Sequence, residues 1–222
     1  MRQLADGVWH LSGFPPNAIN VYVIGDVLVD ASTRYATRRI MRQIDGRQIN
    51  AHALTHAHPD HQGASHEVCG RLGIPFWVGE RDVAAAEDPV LIGEGQPSHL
   101  MARFFFRTCT GPGHPVDRRL AEGDDVAGFQ VIDVPGHSAG HVAFWRESDG
   151  VLVLGDVINT ADPLTLIPGL REPKRYFTTD PGENRRSIRK LALLKPKLVL
   201  AGHGPPLRDT DKFVEFVAGL PA

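Results

Sequence analysis

The sequence predicts an α/β protein built as two sheets packed face to face with helices outside, and three observations carry that prediction. Strand-like and helix-like segments alternate through most of the 222 residues. The two halves of the chain have similar strand and helix content, and each layer must bury its apolar face against another. Several predicted strands end at a glycine beside a histidine or aspartate, so polar side chains would gather along one edge. The length suffices for a sizeable core, and we expect a single domain over residues 1–222.

In chain order, GVWHLSG and NAINVYVIG predict strands, a Gly25-Asp26 turn follows, and VLVDAS is a further strand ending at Asp30. Ile40, Met41 and Ile44 form an apolar stripe beside Arg38, Arg39 and Arg42, which predicts a helix over Tyr35 to Asp45, stopped at Gly46. A short strand, Asn50 to Leu54, leads into the polar stretch THAHPDHQG. Ala64 to Leu72 has helical spacing and Ile74 to Val78 strand character. Pro89 to Pro115, with scattered Gly and Pro around the apolar run His99 to Phe106, predicts an excursion over the surface.

In the second half Phe129 to Val134 is a predicted strand ending in Pro135-Gly136, and Val142 to Trp145 pairs with Val151 to Leu154 through an Asp149-Gly150 turn. Asp180 as N-cap, Pro181 at the first helical position and Glu183 completing a capping box predict a helix that presents Ile188, Leu191 and Ala192 inward and stops at Pro196. The strand Leu198 to Ala201 follows and ends in Gly202-His203-Gly204.

Composition excludes several functions. The formal net charge is -2 and the basic residues are dispersed except for modest clusters at Arg38 to Arg42 and Arg185 to Lys190, so no broad phosphate-binding face for nucleic acid is expected. The opening MRQLADGVWH has neither a basic start followed by an apolar run nor a small-residue cleavage site, and no apolar run approaches the ~20 residues of a membrane span, so a cytoplasmic enzyme with no membrane partner is expected. Cys69 and Cys109 form neither a CxxC pair nor a disulfide framework and are expected as inert thiols.

The 11 histidines separate by their company. His10, His52, His66, His99 and His114 have no acidic or histidine neighbour at ligand spacing and are expected to be structural or surface groups. His56 and His58 can point to one side of an extended segment, with Asp60 and His61 just beyond Pro59. Four donors in six residues exceed the needs of one catalytic ion with an open position, which implies a second. His137, Asp156 and His203 each follow a predicted strand, beside Gly136, Gly155 and Gly202. Together these seven residues are the candidate metal ligands. His141 is a rival ligand or supporting group, and Asp30 is a candidate to orient a ligand imidazole.

THAHPDH, PGHSAGH, GD and GHG, in that order across most of the chain, resemble the metallo-beta-lactamase superfamily, and most of all glyoxalase II and related small hydrolases. The resemblance implies an αβ/βα sandwich with two metal ions at one edge. It assigns His56, His58 and His137 to one ion and Asp60, His61 and His203 to the other, with Asp156 bridging. Flavodiiron relatives typically carry Glu where this chain has His58, and true beta-lactamases lack the bridging aspartate. The helical glutathione-binding domain of glyoxalase II has no counterpart in Pro205 to Ala222, and lactonases of the superfamily often place a tyrosine soon after the aspartate, where this chain has Val157-Ile158-Asn159.

The expected activity is hydrolysis of an ester, thioester or lactone of a small acyl substrate by two Zn2+, with iron or manganese as alternative metals, water activated at neutral pH and Asp60 as the catalytic carboxylate. An iron-dependent persulfide dioxygenase and a phosphodiesterase of the same superfamily are the alternatives. Phe14 to Asn17, Pro89 to Pro115 with Phe104, Phe105 and Phe106, and Leu164 to Phe177 are expected to shape the substrate pocket, or alternatively a homodimer contact, and Tyr176 is the nearest phenol.

Overall fold

The computed structural model describes residues 1–94 and 96–221. In the N-terminal half β1 (Arg2–Ala5), β2 (Val8–Leu11), β3 (Val21–Ile24), β4 (Val27–Val29), β5 (Ala51–Ala53), β6 (Phe76–Gly79) and β7 (Arg118–Leu120) form one sheet in that order. Neighbours are antiparallel from β1 to β4 and parallel from β4 to β7. The connections dictate that change, because a parallel neighbour needs a long crossover. These crossovers contain α1 (Thr37–Ile44), α2 (Pro59–Gln62) with α3 (Ser65–Leu72), and α4 (Val83–Glu87) with α5 (Leu100–Cys109).

The C-terminal half contributes β8 (Asp125–Val126), β9 (Phe129–Asp133), β10 (Val142–Arg146) and β11 (Val151–Gly155). A separate hairpin, β12 (Asn159–Ala161) with β13 (Pro168–Arg171), precedes α6 (Pro181–Ala192), β14 (Leu198–Ala201) and α7 (Asp211–Ala218). The second sheet has the order β14-β11-β10-β9-β8. Since β10 is antiparallel to both neighbours and β14 is parallel to β11, strands β9, β11 and β14 all finish at the same edge.

Alternation along the strands makes four layers. Tyr22 and Ile24 of β3 meet Phe129, Val131, Phe144 and Val153 in the core between the sheets, whereas Val21 and Val23 of the same strand pack outward on Ile40 and Ile44 of α1 and Val68 of α3. The second sheet repeats the arrangement, with Leu152, Leu154 and Val199 facing Ile188 and Leu191 of α6 and Phe213 of α7. Both faces of each sheet are therefore covered, and each fully buried aliphatic or aromatic side chain contributes about 1.5–3 kcal/mol. This is the αβ/βα sandwich expected from the sequence.

Local details depart from the expectation where short-range signals compete. Asp180 does cap α6, accepting from Glu183 N–H at 2.9 Å, but the Glu183 carboxylate pairs with Arg186 and Asp180 N–H goes to Gly136 O, so the capping box is only half formed. The excursion is not all loop, since His99 Nδ1 accepts from Met101 N–H and starts the ten-residue helix α5. Strand β6 runs Phe76–Gly79, two residues beyond the expected start. Cys69 is buried as expected, and Cys109 is half-buried.

His52 and His10, two of the histidines assigned to structural or surface roles, behave accordingly, while His66 and His114, expected to stand apart from other histidines, meet Nδ1 to Nδ1 at 3.3 Å. His52 is enclosed between Leu28 O at 3.0 Å and Ser65 Oγ at 2.8 Å, and burial pushes its pKa down to about 4. His10 binds Asn20 Oδ1 at 2.9 Å, and Asn20 in turn donates to Ala201 O and Gly204 O, which ties the first sheet to the loop carrying His203. No helix among the described residues is long and apolar enough to cross a membrane.

Candidate metal centre

Every polar residue singled out along the strand ends arrives at one edge of the sandwich. β5 delivers Thr55 and His56, and α2 turns back at once to bring Asp60 and His61 beside them. β9 delivers His137, β11 delivers Asp156 and β14 delivers His203. The turns are close-fitting: a Cβ on Gly202 would collide with Asp156 Oδ1, and Gly155, at φ +56°, would press one to 2.6 Å from Thr55 Oγ1.

The donors fall into two groups. Ligand atoms of His56, His58 and His137 lie within 4.8 Å of one another, as do those of Asp60, His61, Asp156 and His203. Asp156 stands between them, with Oδ2 3.7 Å from His137 Nε2 and 3.0 Å from His203 Nε2, and Oδ1 3.5 Å from His61 Nε2. Asp60 Oδ2 is 3.1 Å from His203 Nε2. All seven residues are buried, so their polar atoms need partners.

Hydrogen bonds on the outer side fix which ring nitrogen faces inward. His61 Nδ1 donates to Asp30 Oδ2 at 2.8 Å, and His203 Nδ1 donates to Ala18 O. Thr178 Oγ1 gives its hydrogen to Lys174 O and so accepts from His137 Nδ1 at 3.3 Å. Thr55 Oγ1, donating to Asp30, accepts from His56 Nδ1 at 3.1 Å. Four of the five imidazoles thus point Nε2 into the centre, as metal-bound histidines do when a neighbour holds their other N–H.

His61 Nε2, His137 Nε2 and Asp156 Oδ1 are buried there without a hydrogen-bond partner, which is the pattern a bound cation resolves. His56 Nε2 and His58 Nδ1 are 3.0 Å apart, within a few tenths of an ångström of the roughly 3.3 Å between two nitrogens on one tetrahedral zinc. The residues therefore fit a pair of ions.

The two groups differ electrically. Burial, reinforced by neighbouring imidazoles, pushes His56 and His137 well below the usual histidine range, so they stay neutral and ready to ligate. Burial also opposes charge on His61 and His203, but adjacent carboxylates prevail: Asp30, Asp156 and Asp60 hold His61 well above the usual range, and Asp156 and Asp60 raise His203 to about 10. Protons there occupy the place a cation would take.

Two other candidates resolve. Asp30 accepts from Thr55 N–H and holds His61, the orienting role expected of it. His141 belongs to neither group: its Nε2 donates to Leu154 O at 3.1 Å and its ring stacks on His56 at 4.5 Å, so it backs a donor. Sequence reasoning missed Thr178, Gln96, which meets His58 Nε2 at 2.6 Å, and Asp82, which bonds both ligand loops. A Ser, Thr or Asp flanking a strand has no spacing signal, though Asp82 at the start of ERDVAAAED resembles an ordinary helix cap.

Over the centre lies a cavity of about 210 Å³. His58, Asp60, His137, Asp156 and His203 form its floor, and Met101, Phe104, Phe105, Phe106, Leu164 and Phe177 its walls. The excursion and the β12–β13 region contribute as expected, but Phe14 does not line it and is 93% exposed; Ile19 takes that side. Tyr176 stacks on His99 and is likewise not in the lining. Lys174 does line it, yet its Nζ is 2.7 Å from Asp162 Oδ2, so its charge is paired.

Comparison with known proteins accords with this geometry. A family model described as the metallo-beta-lactamase superfamily matches residues 14–203. A probable metallo-hydrolase, YflN of Bacillus subtilis, is 32% identical over 203 residues, covering 82% of this chain and 76% of its own. A hydroxyacylglutathione hydrolase of Rhodospirillum rubrum is 31% identical over 154 residues, which is 67% of this chain and 46% of that enzyme. The solved structure of TTHA1623 in a di-iron-bound form superposes with a TM-score of 0.62 at 28% identity, covering 93% of each chain.

Proposed function

The chain belongs to the metallo-beta-lactamase superfamily, and from that premise we propose that this metal-dependent hydrolase uses a dinuclear centre to cleave an ester, thioester or lactone of a small, uncharged acyl substrate. One observation carries the reading: seven buried donors in two groups, with the Nε2 atoms of four imidazoles turned inward by outer hydrogen bonds. His56, His58 and His137 would hold one ion, Asp60, His61 and His203 the other, and Asp156 would bridge. Two bound ions supply water activated at neutral pH and positive charge for the carbonyl oxygen. We propose zinc, although nitrogen and oxygen donors also suit iron and manganese.

The chain's own residues do the rest. Asp60 lies on the cavity floor with Oδ2 toward His203, placed to take the proton of the attacking water and pass it to the leaving alkoxide or thiolate. The phenylalanine walls exclude water and hold an apolar acyl group with its carbonyl at the floor. Among the described residues that line the cavity, Lys174 is the one lysine or arginine, and its pairing with Asp162 leaves no free basic side chain there for an anionic substrate. This disfavours a glutathione thioester.

A panel of neutral aryl esters, thioesters and lactones tests the reading. Hydrolysis that is abolished by a chelator, restored by zinc and lost in His56→Ala is the expected outcome. One iron per chain, with oxygen uptake on adding a glutathione persulfide, would instead mark a dioxygenase.

A further inference from the structure

Asp82 is 4% exposed and lies between β6 and α4, apart from both donor groups. An aspartate just before a helix ordinarily accepts from N–H groups of the first turn, but this one makes no such bond to α4. Its oxygens reach elsewhere. Oδ2 accepts from Ala57 N–H at 2.9 Å and from Ser138 Oγ at 2.6 Å, and Oδ1 accepts from Gly140 N–H at 2.6 Å.

Those partners belong to two loops from two sheets. Ala57 sits between His56 and His58 after β5, and Ser138 follows His137 after β9. One carboxylate therefore fastens the backbone between His56 and His58 and, beyond His137, the Ser138 hydroxyl and the Gly140 N–H, and it makes no hydrogen bond to a member of the other group. The packing is shaped around this clamp. A Cβ on Gly140 would collide with Asp82 N, and a Cβ on Gly79 would collide with Gly140 O. Three donors converge on an acceptor with no hydrogen to give, a match that an amide cannot reproduce, since its NH2 would face a donor.

We propose that Asp82 is a positioning residue that sets the spacing of His56, His58 and His137 and thereby the affinity of that group for its ion, without acting on the Asp60, His61, Asp156 and His203 group. A donor set must be held to within about 0.5 Å to bind well, and partners behind the ligands typically control affinity 10- to 100-fold. The inference rests on the dinuclear reading above.

The test uses the full chain loaded with zinc, equilibrated against a limiting chelator, with bound zinc counted by elemental analysis and the melting temperature of the metal-free protein recorded alongside. Wild type should keep two zinc per chain and Asp82→Asn one, with the weakened site losing about 10- to 100-fold in affinity. Adding His56→Ala to Asp82→Asn should then change nothing further, whereas adding His61→Ala should remove the remaining zinc. Ser138→Ala, which deletes one of the three bonds, should weaken the same site by a smaller factor, and it decides the matter if Asp82→Asn does not fold. Retention of both zinc ions at wild-type affinity, or equal weakening of both sites, overturns the proposal. A wild type that keeps fewer than two zinc rejects the dinuclear reading itself, and the proposal with it.

Discussion

Replacing Asp30 with Asn isolates the contribution of one carboxylate to the four-residue metal group. Asp30 has φ +61°, a conformation that Asn tolerates, so the backbone should stay in place. Asp30 Oδ1 accepts from Thr55 N–H at 2.8 Å, while Oδ2 accepts from Thr55 Oγ1 at 2.9 Å and from His61 Nδ1 at 2.8 Å. An amide keeps only one of the two oxygens. With its oxygen kept on Thr55 N–H, its NH2 faces the His61 ring, which loses its acceptor in a site where both side chains are buried.

Leaving one buried donor unsatisfied costs about 1–3 kcal/mol. At 1.4 kcal/mol per tenfold, that corresponds to about a 5- to 150-fold loss of affinity at the His61 site. Chelator competition on the zinc-loaded protein measures it, with the melting curve of the metal-free variant reporting any general loosening. Affinity within about twofold of wild type would refute the claim that Asp30 holds His61 for its ion.

Further predictions concern protons, pocket and core. In the metal-free protein His203 keeps its proton up to about pH 10 and His61 is also raised, and ligation must displace both. Zinc titrations between pH 7 and 9 should therefore show the four-residue site strengthening with pH, by up to about tenfold per unit for each proton released, while the three-histidine site, neutral throughout, stays level. Phe106→Ala, which opens the cavity wall, should cost more kcat/KM on hexanoyl than on acetyl aryl esters, at about fourfold for each methylene that loses its contact. An equal loss on both esters would remove the acyl group from the cavity. Phe144→Ala, at a side chain wholly enclosed between the sheets, should lower unfolding free energy by about 3–5 kcal/mol in urea titrations.

The metal edge was legible because its residues are tied to strand ends. A strand can be recognised from apolar alternation, and whatever follows it must emerge at a sheet edge, so the sequence alone brings His56, His137, Asp156 and His203 together. The glycines beside them marked the sharp turns. Asp82 was illegible for the opposite reason, since its partners, two backbone N–H groups and a serine hydroxyl, lie 25, 58 and 56 residues away and its own neighbourhood carries only a helix-start signal. The helix α5 was hidden by the Gly and Pro of its flanks, although LMARFFFRTC has few breakers of its own. β12 and β13 are short and, among the described residues, pair only with each other, so neither has the length or alternation from which a strand is recognised.

The central claim is that these seven residues hold two ions side by side, and anomalous diffraction at the zinc edge from crystals of the zinc-loaded protein tests it most directly. The account predicts two peaks per chain, one among His56, His58 and His137 and one among Asp60, His61 and His203, with Asp156 between them. A single peak, or peaks away from these donors, would contradict it.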